Sequence, residues 1–363
     1  VTRVLIAGGG TGGHLMPALA IATRLAAVRP DVEPVLVGAI RGIEAQLLPT
    51  RPFRYCLLPI EPLYRRQWWR NLRLPLVAAK VYRDLRQLFD REQPAAVLGT
   101  GGYASAPSVW YAARRGIPAA IQEQNAFPGL ATRLLAGRVG HIYLGMPEGR
   151  TRLTPGPETR VFDTGNPVTP PNPARRAGAL TRFGLSGGER VLLVTGGSQG
   201  AVAINRAVAA WLERGGGSDL TILWATGRGS HSEFARFHRP PSVQVFDFLD
   251  PIQDAYAVAS LVVGRAGMMT GAELCAWGVP MVLVPLPTSA GDHQRHNAAA
   301  LGAAGAAVVV EQGPDLSVRL AGTIGTLLGD PGRLIRMAEA ARTRGRPDAV
   351  DEIVTQFLAL FRG

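Results

Sequence analysis

Val4-Leu5-Ile6-Ala7-Gly8-Gly9-Gly10-Thr11-Gly12-Gly13-His14 sets an apolar run against a glycine-rich loop, and a helix-period stretch from Ala18 to Val28 follows. An unbroken apolar run, rather than an alternating one, is what a parallel strand covered on both faces requires. Working outward, the same reading places further strands at Glu33–Val37, Tyr55–Leu58, Ala96–Leu98, Ala119–Ile121 and His141–Leu144, with helical stretches between them. The pattern restarts at Val191–Thr195 and continues through Thr221–Trp224, Val243–Phe246, Leu261–Val263, Met281–Val284 and Ala307–Val310. The expected fold class is therefore α/β, with two doubly wound, Rossmann-like domains. Turn-forming residues cluster from Gly165-Asn166-Pro167 to Pro173, which puts the boundary there and gives domains of 1–164 and 165–344.

Composition narrows the class. The chain has 363 residues, 47% hydrophobic and 18% charged, which is globular and excludes wholesale disorder. No stretch approaches the roughly 18 uninterrupted apolar residues of a membrane span. The sequence opens directly on a strand, so no signal peptide is expected. Cys56 and Cys275 are too far apart in sequence for a CxxC pair, which argues against a cysteine zinc site or a disulfide framework.

Net charge is +12 and unevenly placed. Residues 1–164 hold 21 basic and 11 acidic side chains, whereas 165–340 hold 14 and 13. Residues 64–91 alone carry eight basic and two acidic. Such a field attracts an anionic surface, either phospholipid or nucleic acid. No nucleic-acid module is recognisable, and a nucleic-acid binder would leave the glycine loops of the second half unexplained, so no nucleic-acid partner is expected.

Three glycine-bearing loops carry the chemistry. In the first, Gly8, Gly10 and Gly13 satisfy GxGxxG, but a dinucleotide site also wants an acid at the end of the second strand; Glu33 stands at the start of that strand, which ends in Val37-Gly38. The second, Gly196-Gly197-Ser198-Gln199-Gly200-Ala201, lacks the Gly-Lys-Ser/Thr ending of a P-loop. The third, Gly264-Arg265-Ala266-Gly267-Met268-Met269-Thr270, lies between a strand and a helix, with Glu273 further along. Backbone N–H groups at such helix starts suit a diphosphate, and a carboxylate beyond them suits a ribose diol. The competing reading of Glu273 is plain helix-dipole stabilisation. Arg265 reads equally as added charge or as a structural arginine.

Gly9-Gly10-Thr11-Gly12-Gly13-His14, Gly101-Gly102-Tyr103, Glu123-Gln124-Asn125, Gly165-Asn166-Pro167-Val168, Gly196 to Ala201 and Asp292-His293-Gln294-Arg295-His296-Asn297-Ala298 occur in one order across nearly the whole chain. In this the sequence resembles the MurG family of bacterial peptidoglycan N-acetylglucosaminyltransferases, which convert lipid I to lipid II. The resemblance implies a GT-B fold, two Rossmann-like domains facing a deep cleft. The N-terminal domain would take the undecaprenyl-linked acceptor and the C-terminal one UDP-N-acetylglucosamine (UDP-GlcNAc). A last helix, within about 345–363, would pack back on the first domain. It further implies donor contacts at Thr11, Gly12, Gly13, Asn125, Ser198, Leu249, Met268, Met269, Thr270, Gly271, Ala272, Glu273 and Gln294. Two positions depart from the family pattern: Gln122 stands where many relatives have His, and Thr169 where some have Arg.

The implied reaction inverts the anomeric carbon and needs a base for the acceptor hydroxyl. His14 is the first candidate, since an imidazole titrates near neutral pH; a loop-positioning role is the alternative. Glu123 is the second candidate, against a structural pairing role. No Asp-x-Asp pair flanks a strand in the second half, because Asp247-Phe248-Leu249-Asp250 is too widely spaced, so no metal and no cofactor is expected and loop amides would stabilise the departing UDP. Trp68, Trp69 and Arg70, within Tyr64 to Arg70, mix aromatic and cationic side chains, and Val77, Val81, Leu85 and Leu88 follow at helical spacing. That suits peripheral attachment to an anionic inner-membrane surface on its cytoplasmic face. The competing reading makes the Val77–Leu88 stripe core and its arginines a solvated face. A GT-B transferase with a soluble acceptor is the alternative function.

Overall fold

The computed structural model describes residues 1–61, 68–197 and 200–361, without the side chains of Trp68 and Arg70. The chain divides into two compact units, Val1–Val168 with Asp348–Gly363, and Thr169–Pro347.

The first unit is a parallel sheet of β1 (Thr2–Ala7), β2 (Val32–Ala39), β3 (Arg54–Leu58), β4 (Ala96–Gly99), β5 (Ala119–Glu123), β6 (His141–Leu144) and β7 (Arg160–Phe162), in the order β3-β2-β1-β4-β5-β6-β7. Successive side chains of a strand point to opposite faces, and both faces here are dry. Leu5, Ala7, Val35, Val37 and Val97 join one core with Leu85, Leu88 and Phe89 of helix Leu74–Glu92 and Val109 of helix Ala106–Arg114. Val4, Ile6, Leu36 and Leu98 join the other with Leu15, Ile21 and Leu25 of helix Gly12–Val28. The final helix, Ala349–Leu360, adds Ile353, Val354 and Phe357 to that second core, and its Asp351 pairs with Arg24.

Burial settles the two readings of the Val77–Leu88 stripe. Val81, Leu85 and Leu88 are core and Val77 is half-buried against it, so the stripe packs into the fold.

The second unit is a parallel sheet of β8 (Val191–Thr195), β9 (Thr221–Ala225), β10 (Val243–Phe246), β11 (Leu261–Gly264), β12 (Met281–Leu283) and β13 (Ala307–Val309), ordered β10-β9-β8-β11-β12-β13. Leu192, Val194, Ile222 and Trp224 pack against helices Val202–Glu213 and Leu316–Leu328. In each unit the chain reverses its winding direction once, between β1 and β4 in the first and between β8 and β11 in the second. Loops leaving the carboxyl ends of those neighbouring strands splay apart, and that is where doubly wound sheets bind ligands.

Candidate functional site

At the switch point of the first unit, the loop after β1 meets the loop after β4. The β1 loop turns straight into helix Gly12–Val28, capped by Thr11 in an extended conformation with no side-chain hydrogen bond to the helix. Thr11 is exposed and Gly12 has open space where a Cβ would stand, so this helix start is accessible. The earlier part of the loop is not. Both carboxylate oxygens of fully buried Glu44 accept from Gly10 N–H, at 3.0 and 2.9 Å, and Oε1 also accepts from Ala39 N–H at 2.8 Å. A side-chain anion thus occupies the place a dinucleotide phosphate would need, which removes the nicotinamide reading of GxGxxG on physical grounds.

His14 stands in the first turn of the helix. Its backbone carbonyl accepts from Thr100 Oγ1 at 2.8 Å, and its Nδ1 lies 3.0 Å from Gln124 Oε1. Gly101 lies beneath the ring with φ +92°, and a Cβ there would come within 2.7 Å of His14 Nδ1, so both the turn and the close approach exclude a side chain.

Glu123 points elsewhere. Residues one apart on a strand face opposite sides of the sheet, so Gln122 and Glu123 at the end of β5 diverge, and the Gln124 side chain just beyond lies on the Gln122 side, bonded to it. Its Oε1 accepts from the backbone N–H and side-chain amide of Asn125, both at 3.0 Å. Its Oε2 accepts from Gly129 N–H at 3.0 Å and Thr132 Oγ1 at 2.6 Å. Four donors on a buried carboxylate make it the organiser of the 125–132 segment, and they pin the Asn125 amide. The sequence treats Glu123 as a candidate base; the geometry favours the structural pairing role that competed with it.

At the switch point of the second unit, the β8 loop leads into helix Val202–Glu213. Gly200 has φ +73°, and a Cβ there would stand 2.2 Å from Thr226 O. Ser198 lies outside the described residues. After β11, helix Met268–Trp277 starts at Gly267 with no side-chain cap and no acidic residue in its first turn. Its leading N–H groups and the positive end of its dipole therefore have no counter-charge from the helix's own first turn. Met268 and Gly271 are buried, while Met269, Thr270, Ala272 and Glu273 are half-buried.

Glu273 has a partner that sequence reading missed. Tyr256 Oη donates to Glu273 Oε2 at 3.0 Å. Burial raises the Glu273 pKa above the usual carboxylate value, and the tyrosine hydrogen bond partly offsets this. Burial, with the Glu273 charge beside it, pushes the Tyr256 phenol well above its ordinary value, so it stays a donor.

Other residues of this unit follow the carboxyl ends of β9, β10, β11 and β12. Leu249 is buried, and Arg228 stacks 5.4 Å from the ring centre of exposed Phe248 beside it in sequence. Gln294 Oε1 accepts from Leu286 N–H at 2.9 Å, so a ligand would be read through its NH₂. Arg265 donates to the carbonyls of Val284 and Pro285, at 3.1 and 3.3 Å, tying its loop to the end of β12. Of its two readings, the structural tether is the one these contacts describe.

Comparison with known proteins gives one answer over the whole length. Residues 4–144 match the glycosyltransferase family 28 N-terminal domain and residues 191–353 its C-terminal domain. The UDP-N-acetylglucosamine–N-acetylmuramyl-(pentapeptide) pyrophosphoryl-undecaprenol N-acetylglucosamine transferases of Chlorobaculum parvum and Salinibacter ruber are 40% and 39% identical, over 99% of this chain and 99% and 96% of theirs. The crystal structure of Acinetobacter baumannii MurG superposes with a TM-score of 0.78 at 25% identity, covering 99% of this chain and 100% of that one. A Neisseria meningitidis UDP-GlcNAc 2-epimerase shares the fold, at TM-score 0.66 and 13% identity. With both domain families matched in order and full-length relatives at this identity, the chain belongs to glycosyltransferase family 28 and is a GT-B glycosyltransferase.

Proposed function

We propose that the protein transfers N-acetylglucosamine from UDP-GlcNAc to the C4 hydroxyl of N-acetylmuramic acid in undecaprenyl-pyrophosphoryl-MurNAc-pentapeptide, as its relatives' names describe. The observation that carries the reading is the start of helix Met268–Trp277: uncapped, free of acid in its first turn, at the switch point, with a half-buried carboxylate further along. Amides there hold the diphosphate and stabilise its charge as it leaves. Glu273 accepts the ribose hydroxyls, the Leu249 backbone meets the uracil edge, and the NH₂ of Gln294 reads a sugar hydroxyl. Thr11, Gly12, Gly13, Asn125 and Ser198 are assigned to the donor by likeness to the family. In the first unit His14 takes the acceptor proton as the C4 oxygen bonds to the anomeric carbon and the bond to UDP breaks, with inversion. Mixing the protein, UDP-GlcNAc and a lipid I analogue should release UDP in step with acceptor consumption. Release that proceeds equally without acceptor, or with a soluble sugar alone, would overturn the assignment.

The acceptor is lipid-linked, and we place its membrane contact on the first unit. Among the described residues no helix is long and apolar enough to cross a membrane. Trp69, Leu72 and Leu76 are 56%, 73% and 78% exposed, too much apolar surface in one short stretch to be incidental. Beside them an apolar cavity of about 850 Å³ lies among helices Leu74–Glu92, Ala106–Arg114 and Leu130–Leu135, lined by Leu74, Val77, Tyr82, Trp110 and Leu134, with Arg138 at its wall. Tyr64 to Gln67 lie outside the described residues, as do the side chains of Trp68 and Arg70. These exposed apolar side chains, with exposed Arg73 in the same stretch, support a reading of peripheral attachment at the cytoplasmic leaflet. Changing Trp69, Leu72 and Leu76 together to Ser should weaken binding to phosphatidylglycerol vesicles by roughly tenfold or more, given the apolar area removed. Unchanged co-sedimentation would place the anchor elsewhere.

A further inference from the structure

Four buried or half-buried side chains in the first unit form one directed line of hydrogen bonds ending on His14. Asn166 Nδ2 donates to the backbone carbonyl of Gln124 at 3.1 Å. A carbonyl can only accept, so the Asn166 amide is fixed with Oδ1 facing away from it, toward Gln122 Nε2 at 3.0 Å. Gln122 is then fixed with Oε1 toward Gln124 Nε2, at 2.5 Å. The Gln124 amide is anchored a second time, because the same Nε2 donates to the Thr100 carbonyl at 2.6 Å. Two carbonyls, at opposite ends of the line, thus impose the same polarity on every amide between them. Gln124 Oε1 is left facing His14 Nδ1 at 3.0 Å.

We infer that Gln124, Gln122 and Asn166 are positioning residues that set the His14 tautomer. An amide oxygen can only accept, so Nδ1 carries the proton, and in the neutral ring the lone pair is then on Nε2. That is the form able to take a proton from an acceptor hydroxyl. Gln122, Gln124, Asn166 and Thr100 are all at most 2% exposed, so water does not compete for these bonds and a flipped amide would bury unmet polar groups. Gly145 makes the room, since a Cβ on it would stand 2.3 Å from Asn166 Oδ1. The line also gives Gln122 a role of its own: an uncharged amide relays polarity without titrating. The tautomer assignment stands on geometry alone; its catalytic consequence rests on His14 being the base.

The test is ¹⁵N NMR of histidine-labelled full-length protein above the imidazole pKa, with the His14 signals identified by their loss in His14→Gln. The expected result is a single tautomer with the proton on Nδ1. A proton on Nε2, or an even mixture, overturns the assignment whatever the kinetics, because the tautomer is read in the unsubstituted protein. In Gln124→Leu the ring should move toward the Nε2–H form that a free imidazole favours. Turnover should then fall about tenfold or more with little change in donor KM, as loss of base catalysis without loss of binding requires. In Gln124→Glu a carboxylate faces Nδ1 and stabilises the imidazolium, so the acid limb of the kcat profile should move up by about one pH unit or more. Glu44 against Gly10, Tyr103 beside that loop and Glu123 on the opposite face of β5 are unchanged in this variant, so the shift reports the new contact. An unmoved limb would overturn the contact between residues 124 and 14. If His14→Ala keeps full turnover while the spectrum shows Nδ1–H, the base reading fails and the tautomer assignment survives.

Discussion

His14→Ala should lower kcat by about 10²- to 10⁴-fold while the donor KM changes by no more than about threefold. The Thr100 hydroxyl holds the His14 backbone carbonyl, while Gln124 at Nδ1 and the tight Gly101 turn hold the ring, which is more restraint than a surface histidine receives. Glu123 offers no substitute base on that face: four donors already occupy its oxygens, and strand alternation turns it away from Gln124. Steady-state kinetics with saturating lipid I analogue checks this. Near-normal kcat would reduce His14 to a loop-positioning role.

Glu273→Ala should raise the donor KM by roughly 10- to 100-fold, the loss expected when hydrogen bonds to a charged group are removed. The pH dependence follows from the raised pKa. A ribose diol donates to the ionised carboxylate, and protonation removes that acceptor. Donor affinity should therefore fall as pH drops, beginning above the pH at which an ordinary glutamate titrates. Tyr256→Phe removes the hydrogen bond that lowers the Glu273 pKa, so the acid limb should move to still higher pH. Isothermal titration with UDP across the acid range reads both effects. A KM for Glu273→Ala within twofold of the unmodified protein would show that the carboxylate serves only the helix.

How much of this was legible in the sequence depended on the range of the interaction. Continuous apolar runs gave twelve strands with ends within a few residues of those observed, because a strand buried on both faces has no reason to admit polar side chains. β7 escaped notice: Arg160–Phe162 is three residues long, at a sheet edge and never fully buried, so it carries almost no apolar signal. Helix Gly12–Val28 begins six residues earlier than its apolar period suggests, since glycines hide the first turn. The glycine loops and Glu273 were visible as motifs. Glu44, Tyr256 and the amide line to His14 were not, because each pairs residues that only the folded topology brings together, 17 to 110 positions apart in most cases. Glu123-Gln124-Asn125 was visible as a motif, with Glu123 weighed as a base or as a structural partner, but that Gln124 is the member facing His14 depends on how the chain leaves β5.

The most direct measurement is a crystal structure of the protein soaked with UDP. The account predicts the diphosphate at the carboxyl ends of β8 and β11, against the N–H groups of Met269 and Thr270, with Glu273 on the ribose. Nucleotide bound away from that switch point, with the start of helix Met268–Trp277 and Glu273 untouched, would contradict it.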